Sequence, residues 1–234
     1  MEGDNALKSP SGRGTNSGPG ALPAHCPLLQ ISFCCGYFVE LKRRDSKSNL
    51  RQQVRVCLDG MTPSKRAAAS AQACALLEKQ AVWREARSIF FYAPLPEELD
   101  ILAVLKDSLA AGKTVALPRF DLASNRYVAC RVRDLDGDVL NGRFGIREPA
   151  ERCPSLELTR LDLTLVPGLA FDAQGRRLGR GKGFYDQLLA SIGGITCGVA
   201  FDEQILDEIP IEPHDVRVHC ILTPTRWMES SPQS

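Results

Sequence analysis

From residue 46 onward, apolar positions recur in short bursts whose spacing alternates between helical and extended. Leu50, Val54, Cys57 and Leu58 fall on one helical face, with Lys47, Arg51 and Arg55 aligned on another. Thr62 followed by Pro63 predicts an N-cap and a first helical residue, opening a helix that runs to about Lys79. Residues 88–92 are a β-rich run, followed by a proline-punctuated loop over 94–97. Ile101, Leu102, Val104, Leu105 and Leu109 predict a helix ended by Gly112. Strands are predicted at 114–117 (stopped by Pro118), 127–132, 161–166, 196–201 and 218–222, with a further helix over 184–191. The strands are apolar runs rather than strict alternations, and they interleave with helices. That combination predicts one α/β domain, a mostly parallel sheet covered by helices on both faces. Ligands collect at the carboxyl ends of strands in such sheets.

Residues 1–45 form an extension whose first 24 residues, rich in Gly, Ser, Pro and Asn, have almost nothing to bury and are expected to be disordered. The catalytic domain is expected over 46–228, with a flexible tail over 229–234. The apolar stretch at 26–41 is interrupted by Gln30, Gly36 and Glu40 and falls short of the ~20 residues of a membrane span. It also lacks a basic segment directly before it and a clear cleavage site, so no secretory signal is expected.

Charge and cysteine usage narrow the classes further. The formal net charge of +1 disfavours a long polyanion as the main partner, and no nucleic-acid partner is expected. Nine scattered cysteines without a C-x-x-C pair argue against a disulfide scaffold or a zinc site, and for a reducing compartment. A soluble, cytoplasmic, monomeric protein acting on small molecules is expected.

The chemistry concentrates in residues 165–186. An apolar strand runs into a loop in which Gly179, Gly181 and Gly183 alternate with Arg180 and Lys182, just after Arg177. Glycines let backbone amides approach a ligand closely, and the interleaved cations supply charge; phosphate oxygens need both. This is not a Walker A loop, since position 176 is arginine and Gly183 follows the lysine, nor is it a dinucleotide fingerprint. Asp186 lies a few residues on, where it could help hold the magnesium that accompanies a nucleoside triphosphate.

The run from Val166 to Asp186 resembles the signature of the 5-formyltetrahydrofolate cyclo-ligase family, V-P-G-L-A-F-D-x-x-G-x-R-L-G-R-G-K-G-[YF]-Y-D. Further elements follow in the family's order. Lys47-Ser48-Asn49-Leu50-Arg51 is similar to its K-x-x-L-R, and Glu98-Leu99-Asp100 to its E-[IVL]-[DE]-T. Gly112-Lys113 through Pro118-Arg119, Phe144 through Pro149, and Ile209-Pro210 through Val218 correspond to its remaining blocks. The resemblance covers about residues 46–226. It implies the NagB/RpiA/CoA-transferase-like fold and the ATP- and Mg2+-dependent conversion of 5-formyltetrahydrofolate to 5,10-methenyltetrahydrofolate, releasing ADP and phosphate.

Residue roles follow from the same resemblance. ATP would be bound by Lys47, Ser48, Asn49, Leu50, Arg51, Arg177, Leu178, Gly179, Arg180, Gly181, Lys182, Gly183, Phe184 and Tyr185. The folate would meet Phe91, Glu98, Phe144, Arg180, Gly181, Lys182, Gly183 and Phe184, and its anionic tail would meet Arg119 or Arg147. Arg180 and Lys182 are the expected catalytic pair, and Asp186 and Asp215 the expected magnesium ligands. The chain departs from the family at Ile101, where a threonine is expected, at His219, where an aspartate is usual, and at Phe184, where tyrosine is usual. The residues alone leave open a related enzyme on the same scaffold, or a non-catalytic nucleotide- or RNA-binding relative.

Overall fold

A computed structural model describes residues 46–142, 146–181 and 183–230, and for Phe184 the backbone alone. The extension at 1–45, the end of the tail at 231–234, Phe144, Lys182 and the Phe184 side chain lie outside the described residues. In chain order the elements are α1 (Lys47–Asp59), α2 (Pro63–Leu77), α3 (Ala81–Glu85), β1 (Ser88–Phe90), α4 (Leu102–Ala110), β2 (Thr114–Asp121) and β3 (Arg126–Val132). There follow α5 (Leu135–Asp138), β4 (Val139–Asn141), β5 (Arg147–Pro149), β6 (Ser155–Leu156), β7 (Leu163–Pro167), β8 (Ala170–Asp172) and β9 (Arg177–Leu178). The chain ends with α6 (Phe184–Leu189), β10 (Ile195–Val199), β11 (Ile205–Leu206), β12 (Cys220–Leu222) and β13 (Trp227–Glu229).

The main sheet has the order β13-β12-β10-β7-β1-β2-β3-β6. The central strands β12, β10, β7, β1 and β2 are parallel, while β13, β3 and β6 pair antiparallel at the edges. From β1 the chain moves outward to β2 on one side; from β7 it moves outward through β10 and β12 on the other. The strand order therefore reverses between β1 and β7, and a crevice opens at the carboxyl ends of these two neighbours.

Both sheet faces are covered because the central strands are apolar on both sides. Ile89, Leu163, Leu165, Cys197 and Leu222 pack in one core with Leu50, Val54 and Leu58 of α1, Leu77 of α2 and Leu105 of α4. The alternate residues Val166 and Ile221 pack with Leu189 of α6, and Phe90 with Leu188. Each fully buried aliphatic side chain contributes roughly 1.5–3 kcal/mol, so this patterning sets the two-sided architecture.

Local signals place the ends of the helices. Ser46 caps α1 by accepting from the Asn49 amide, and Thr62 caps α2 by accepting from Lys65, with Pro63 in the first turn. Gly112, at φ +74°, ends the turn after α4.

Pro118 does not stop β2, which continues to Asp121. The Ala116 carbonyl accepts from Phe91 on the β1 side, and two residues on Pro118 faces that same side, beyond the last β1 ladder pair. Its missing N–H falls where no partner strand remains, while β3 holds the other side. Two further features go beyond the sequence pattern. A three-stranded sheet, β11-β8-β9, brackets the start of the glycine-rich loop, and β13 extends the main sheet to Glu229. Among the described residues no helix is long and apolar enough to cross a membrane.

Candidate active site

A cleft of about 420 Å³ lies at the reversal point, a size suited to a small-molecule ligand. Tyr92, Leu95 and Glu98 after β1, Pro118 in β2, and Pro167 and Gly168 at the end of β7 form much of its wall. The glycine-rich loop supplies Gly179, Arg180 and Gly183, and α6 adds Tyr185 and Asp186.

The loop is held at both ends. At its start, β8 and β9 form a hairpin with Gly175 at φ +75°. Asp172, fully buried, accepts from the backbone amides of Gln174, Arg176 and Ile209 at 3.0, 3.1 and 2.9 Å. One carboxylate thus ties the hairpin to the segment leading to Asp215. At the loop's far end Gly183 is the N-cap of α6 at φ +68°, a conformation that excludes most side chains although nothing crowds its Cβ position. Gly181, at φ +98°, lies against the Arg51 guanidinium.

Helix α1 leans on this loop. Arg51 donates its Nε to the Gly179 carbonyl at 2.8 Å. Lys47, one turn earlier, donates to Asp215 Oδ2 at 2.6 Å and pairs with Glu212 at 3.2 Å. Burial alone would raise the Asp215 carboxyl, but the hydrogen bonds from Lys47 and the Glu212 amide hold it below its ordinary value. Lys47 and Arg51 therefore stand on the one face that the helical spacing predicts. Ser48 and Asn49 are exposed in the same first turn, whereas the Leu50 side chain is in the core.

Two of the cleft cations, Arg177 and Arg180, are paired with acids. Arg177, with its side chain 5% exposed, donates to Asp186 Oδ1 at 2.6 Å and lies 5.7 Å from the Tyr185 ring centroid. Arg180 reaches across the cleft to two carboxylates, Glu97 Oε1 at 2.9 Å and Glu98 Oε1 at 3.0 Å. Glu98 also accepts from the Leu95 amide at 3.1 Å. Burial raises the Glu98 carboxyl, outweighing the opposing pull of the Leu95 amide and Arg180. Desolvation likewise pushes the Tyr92 and Tyr185 phenols far up, keeping both protonated; the Tyr92 hydroxyl donates to the Leu99 carbonyl at 2.6 Å.

The structure thus gathers Glu98, Arg177, Gly179, Arg180, Gly183, Tyr185 and Asp186 around one cavity. Phe91 and Leu178 are fully buried in the core instead, with Phe91 edge-on to Trp83 at 6.1 Å. Asp215 is not part of the cleft wall; its partners are Lys47 and the Glu212 amide. Arg119 is committed elsewhere, since its Nη1 donates to the carbonyls of Ala150, Glu151 and Cys153 at 3.0, 3.1 and 3.3 Å. Among the described residues no group of three His, Cys, Asp or Glu side chains converges as a metal cage.

The departures are also placed. Ile101 is a core residue preceding α4, with no exposure to the cleft, and Asp100 Oδ1 accepts from the Leu102 amide there. His219 precedes β12, at the opposite end of the sheet from the cleft, where its Nδ1 accepts from the Thr196 amide at 3.0 Å. Tyr92, Tyr127, Glu97 and Arg55 enter the site without having been singled out as site residues. Arg55 carries a readable signal, the i+4 stripe shared with Lys47 and Arg51; the others depend on where β1 ends and where β3 begins.

An open, mostly parallel sheet with a cationic glycine loop at its reversal point defines a small-molecule α/β enzyme. The chain belongs to the 5-formyltetrahydrofolate cyclo-ligase family, whose sequence profile matches residues 43–224. It is 39% identical over 145 residues to the 5-formyltetrahydrofolate cyclo-ligase of Mycolicibacterium smegmatis, covering 60% of this chain and 75% of that protein. Against the enzyme of the same name from Mus musculus it is 32% identical over 163 residues, covering 65% and 78%. The solution structure of Aquifex aeolicus 5,10-methenyltetrahydrofolate synthetase superposes with a TM-score of 0.72 at 28% identity, over 80% of this chain and 94% of that one. A 5,10-methenyltetrahydrofolate synthetase from Mycoplasma pneumoniae shares the fold at 18% identity, with a TM-score of 0.62 over 77% and 99%.

Proposed function

We propose that the cleft converts 5-formyltetrahydrofolate to 5,10-methenyltetrahydrofolate at the expense of ATP, in a cytoplasmic, monomeric enzyme. The observation that carries this reading is the meeting of two surfaces. Arg177, Gly179, Arg180 and Gly183 of the cationic, glycine-rich loop face a cavity walled by Tyr92, Leu95, Pro118 and Tyr185, apolar enough to hold a flat heterocycle.

In this reading the formyl oxygen of the folate attacks the γ-phosphorus and ADP leaves. The resulting imidate phosphate is an activated electrophile. N10 of the same folate then forms the new C–N bond, the C–O bond breaks, and phosphate departs carrying the N10 proton. The attacking amine is intramolecular, so the protein needs no covalent nucleophile; its tasks are positioning and stabilising phosphoryl charge. Lys47, Arg51 and the loop amides hold the nucleotide phosphates. Arg180 and Lys182 follow the transferred phosphoryl, Arg180 leaving Glu97 and Glu98 as it does so. Glu98, relieved of that partner, accepts from N–H donors of the pterin.

Magnesium bound to nucleotide phosphates is held by one or two carboxylates rather than a full protein cage. Asp186 fits that requirement as a carboxylate in the cleft wall, with Asp215 as a second candidate. When bound, the ion would neutralise charge on the β- and γ-phosphates. Protein mixed with 5-formyltetrahydrofolate, ATP and magnesium should show a rise in methenyl absorbance that depends on ATP. No rise, where a known cyclo-ligase responds in the same buffer, would falsify the assignment.

A further inference from the structure

We infer that Arg55 is a further anion-binding residue of the cleft, taking an oxyanion of a bound substrate, either a phosphoryl group or a carboxylate. The inference rests on the proposed function and extends it to a residue outside the family's loop signature. Arg55 is exposed on α1, one helical turn beyond Arg51, and it lines the cleft itself, which Lys47 and Arg51 do not.

Charge balance distinguishes it from an ordinary solvated arginine. Of the cations in the described cleft wall, Arg177 is neutralised by Asp186, and Arg180 by Glu98 with Glu97 beside it. Arg55 has no ion pair or hydrogen bond among the described residues, so it carries the uncompensated positive charge of that wall. An anion entering the cleft must otherwise break an existing ion pair of Arg177 or Arg180. Arg55 can accept it with no such exchange.

Geometry limits which anion this can be. Arg51 faces the Gly179 and Gly181 side of the loop, the side assigned to the nucleotide. The Arg55 position, about 6 Å further along α1, borders the cavity beyond it. An oxyanion there is either the terminal phosphoryl group, projecting past the loop toward its acceptor, or a carboxylate on the folate. The planar fork of arginine matches both groups in a bidentate way.

The test compares wild type, Arg55→Gln and Arg55→Lys in steady-state assays. ATP and the mono- and triglutamyl forms of 5-formyltetrahydrofolate are varied separately. In parallel, thermal shifts are titrated with inorganic tripolyphosphate alone and with 5-formyltetrahydrofolate alone. Arg55→Gln should raise one KM by about tenfold or more, the scale of one charge-assisted hydrogen bond, without lowering the ligand-free melting temperature. Arg55→Lys should recover part of the loss. A rise confined to ATP, with a weakened tripolyphosphate shift, identifies the phosphoryl group. A rise confined to the folate, larger for the triglutamate, identifies the carboxylate. Both KM values within threefold of wild type, with unchanged ligand shifts, overturn the inference. If wild type forms no product the proposed function falls, and the titrations alone then decide: equal shifts in wild type and Arg55→Gln overturn the role of Arg55.

Discussion

Replacing Arg180 with alanine separates the catalytic reading of the loop from a structural one, because the two make opposite claims about stability. Arg180 makes two ion pairs, at 2.9 Å to Glu97 and 3.0 Å to Glu98, and its own side chain is 36% exposed. Arg180 and Glu97 are open to solvent, and such pairs contribute about 0–1 kcal/mol. Glu98, 11% exposed, keeps its hydrogen bond from the Leu95 amide, so the variant should lose little stability, a shift of at most ~4 °C in melting temperature for a domain of this size. The loss in the transition state should be much larger. One preorganised donor to a developing oxyanion is worth ~10²–10³ in rate, about 2.7–4 kcal/mol. The assay is methenyl formation at saturating ATP and folate, alongside calorimetry of the same samples. A turnover within fivefold of wild type removes Arg180 from the mechanism. A rate loss accompanied by a melting temperature lowered by ~10 °C or more would show that the residue merely holds the loop against β1's following segment. Arg180→Lys should recover little, since an ammonium cannot present the same fork.

Asp172→Ala removes the acceptor for three backbone amides in a fully buried position and should cost ~3 kcal/mol or more in urea unfolding; a loss under 1 kcal/mol refutes its role as the staple of the hairpin. The Asp215 carboxyl is held below its unfolded value, so its contribution is present above about pH 4 and is lost as pH falls through the lower folded value. Lys47→Met should therefore lower stability at pH 7 and flatten its acid dependence below pH 4, and an unchanged acid profile in pH-dependent denaturation counts against the pair. Ile101→Thr should leave the folate KM unchanged because the side chain is sealed in the core. Its stability should fall by only ~1–2 kcal/mol, since a hydroxyl at the α4 N-cap offsets part of the lost burial; a folate KM altered severalfold would place that position in contact with substrate.

Much of the site was legible because its signals are local. Glycines at positive φ, cations spaced between them and an acid opening the next helix all sit within ten residues. The i, i+4 spacing of Lys47 and Arg51 needs only helical geometry to place both on one face. Long-range partners were not legible. Nothing in the sequence pairs Lys47 with Asp215, 168 positions away, or Arg180 with Glu97 and Glu98. The same limit applies to Phe91, which motif position marks as a substrate contact but the sheet seals inside. An apolar residue after a strand can face either cleft or core, and only the neighbouring strands decide which.

By itself, then, the amino-acid sequence determined the α/β class, the helix caps, the cationic glycine-rich loop and the family, because each rests on residue chemistry read over short spans. Tertiary structure decided where that loop meets an apolar cavity, which acids pair with Arg177 and Arg180, and that Arg55 of α1 has no such partner among the described residues. These depend on the reversal of strand order between β1 and β7, and so on contacts between segments more than seventy residues apart.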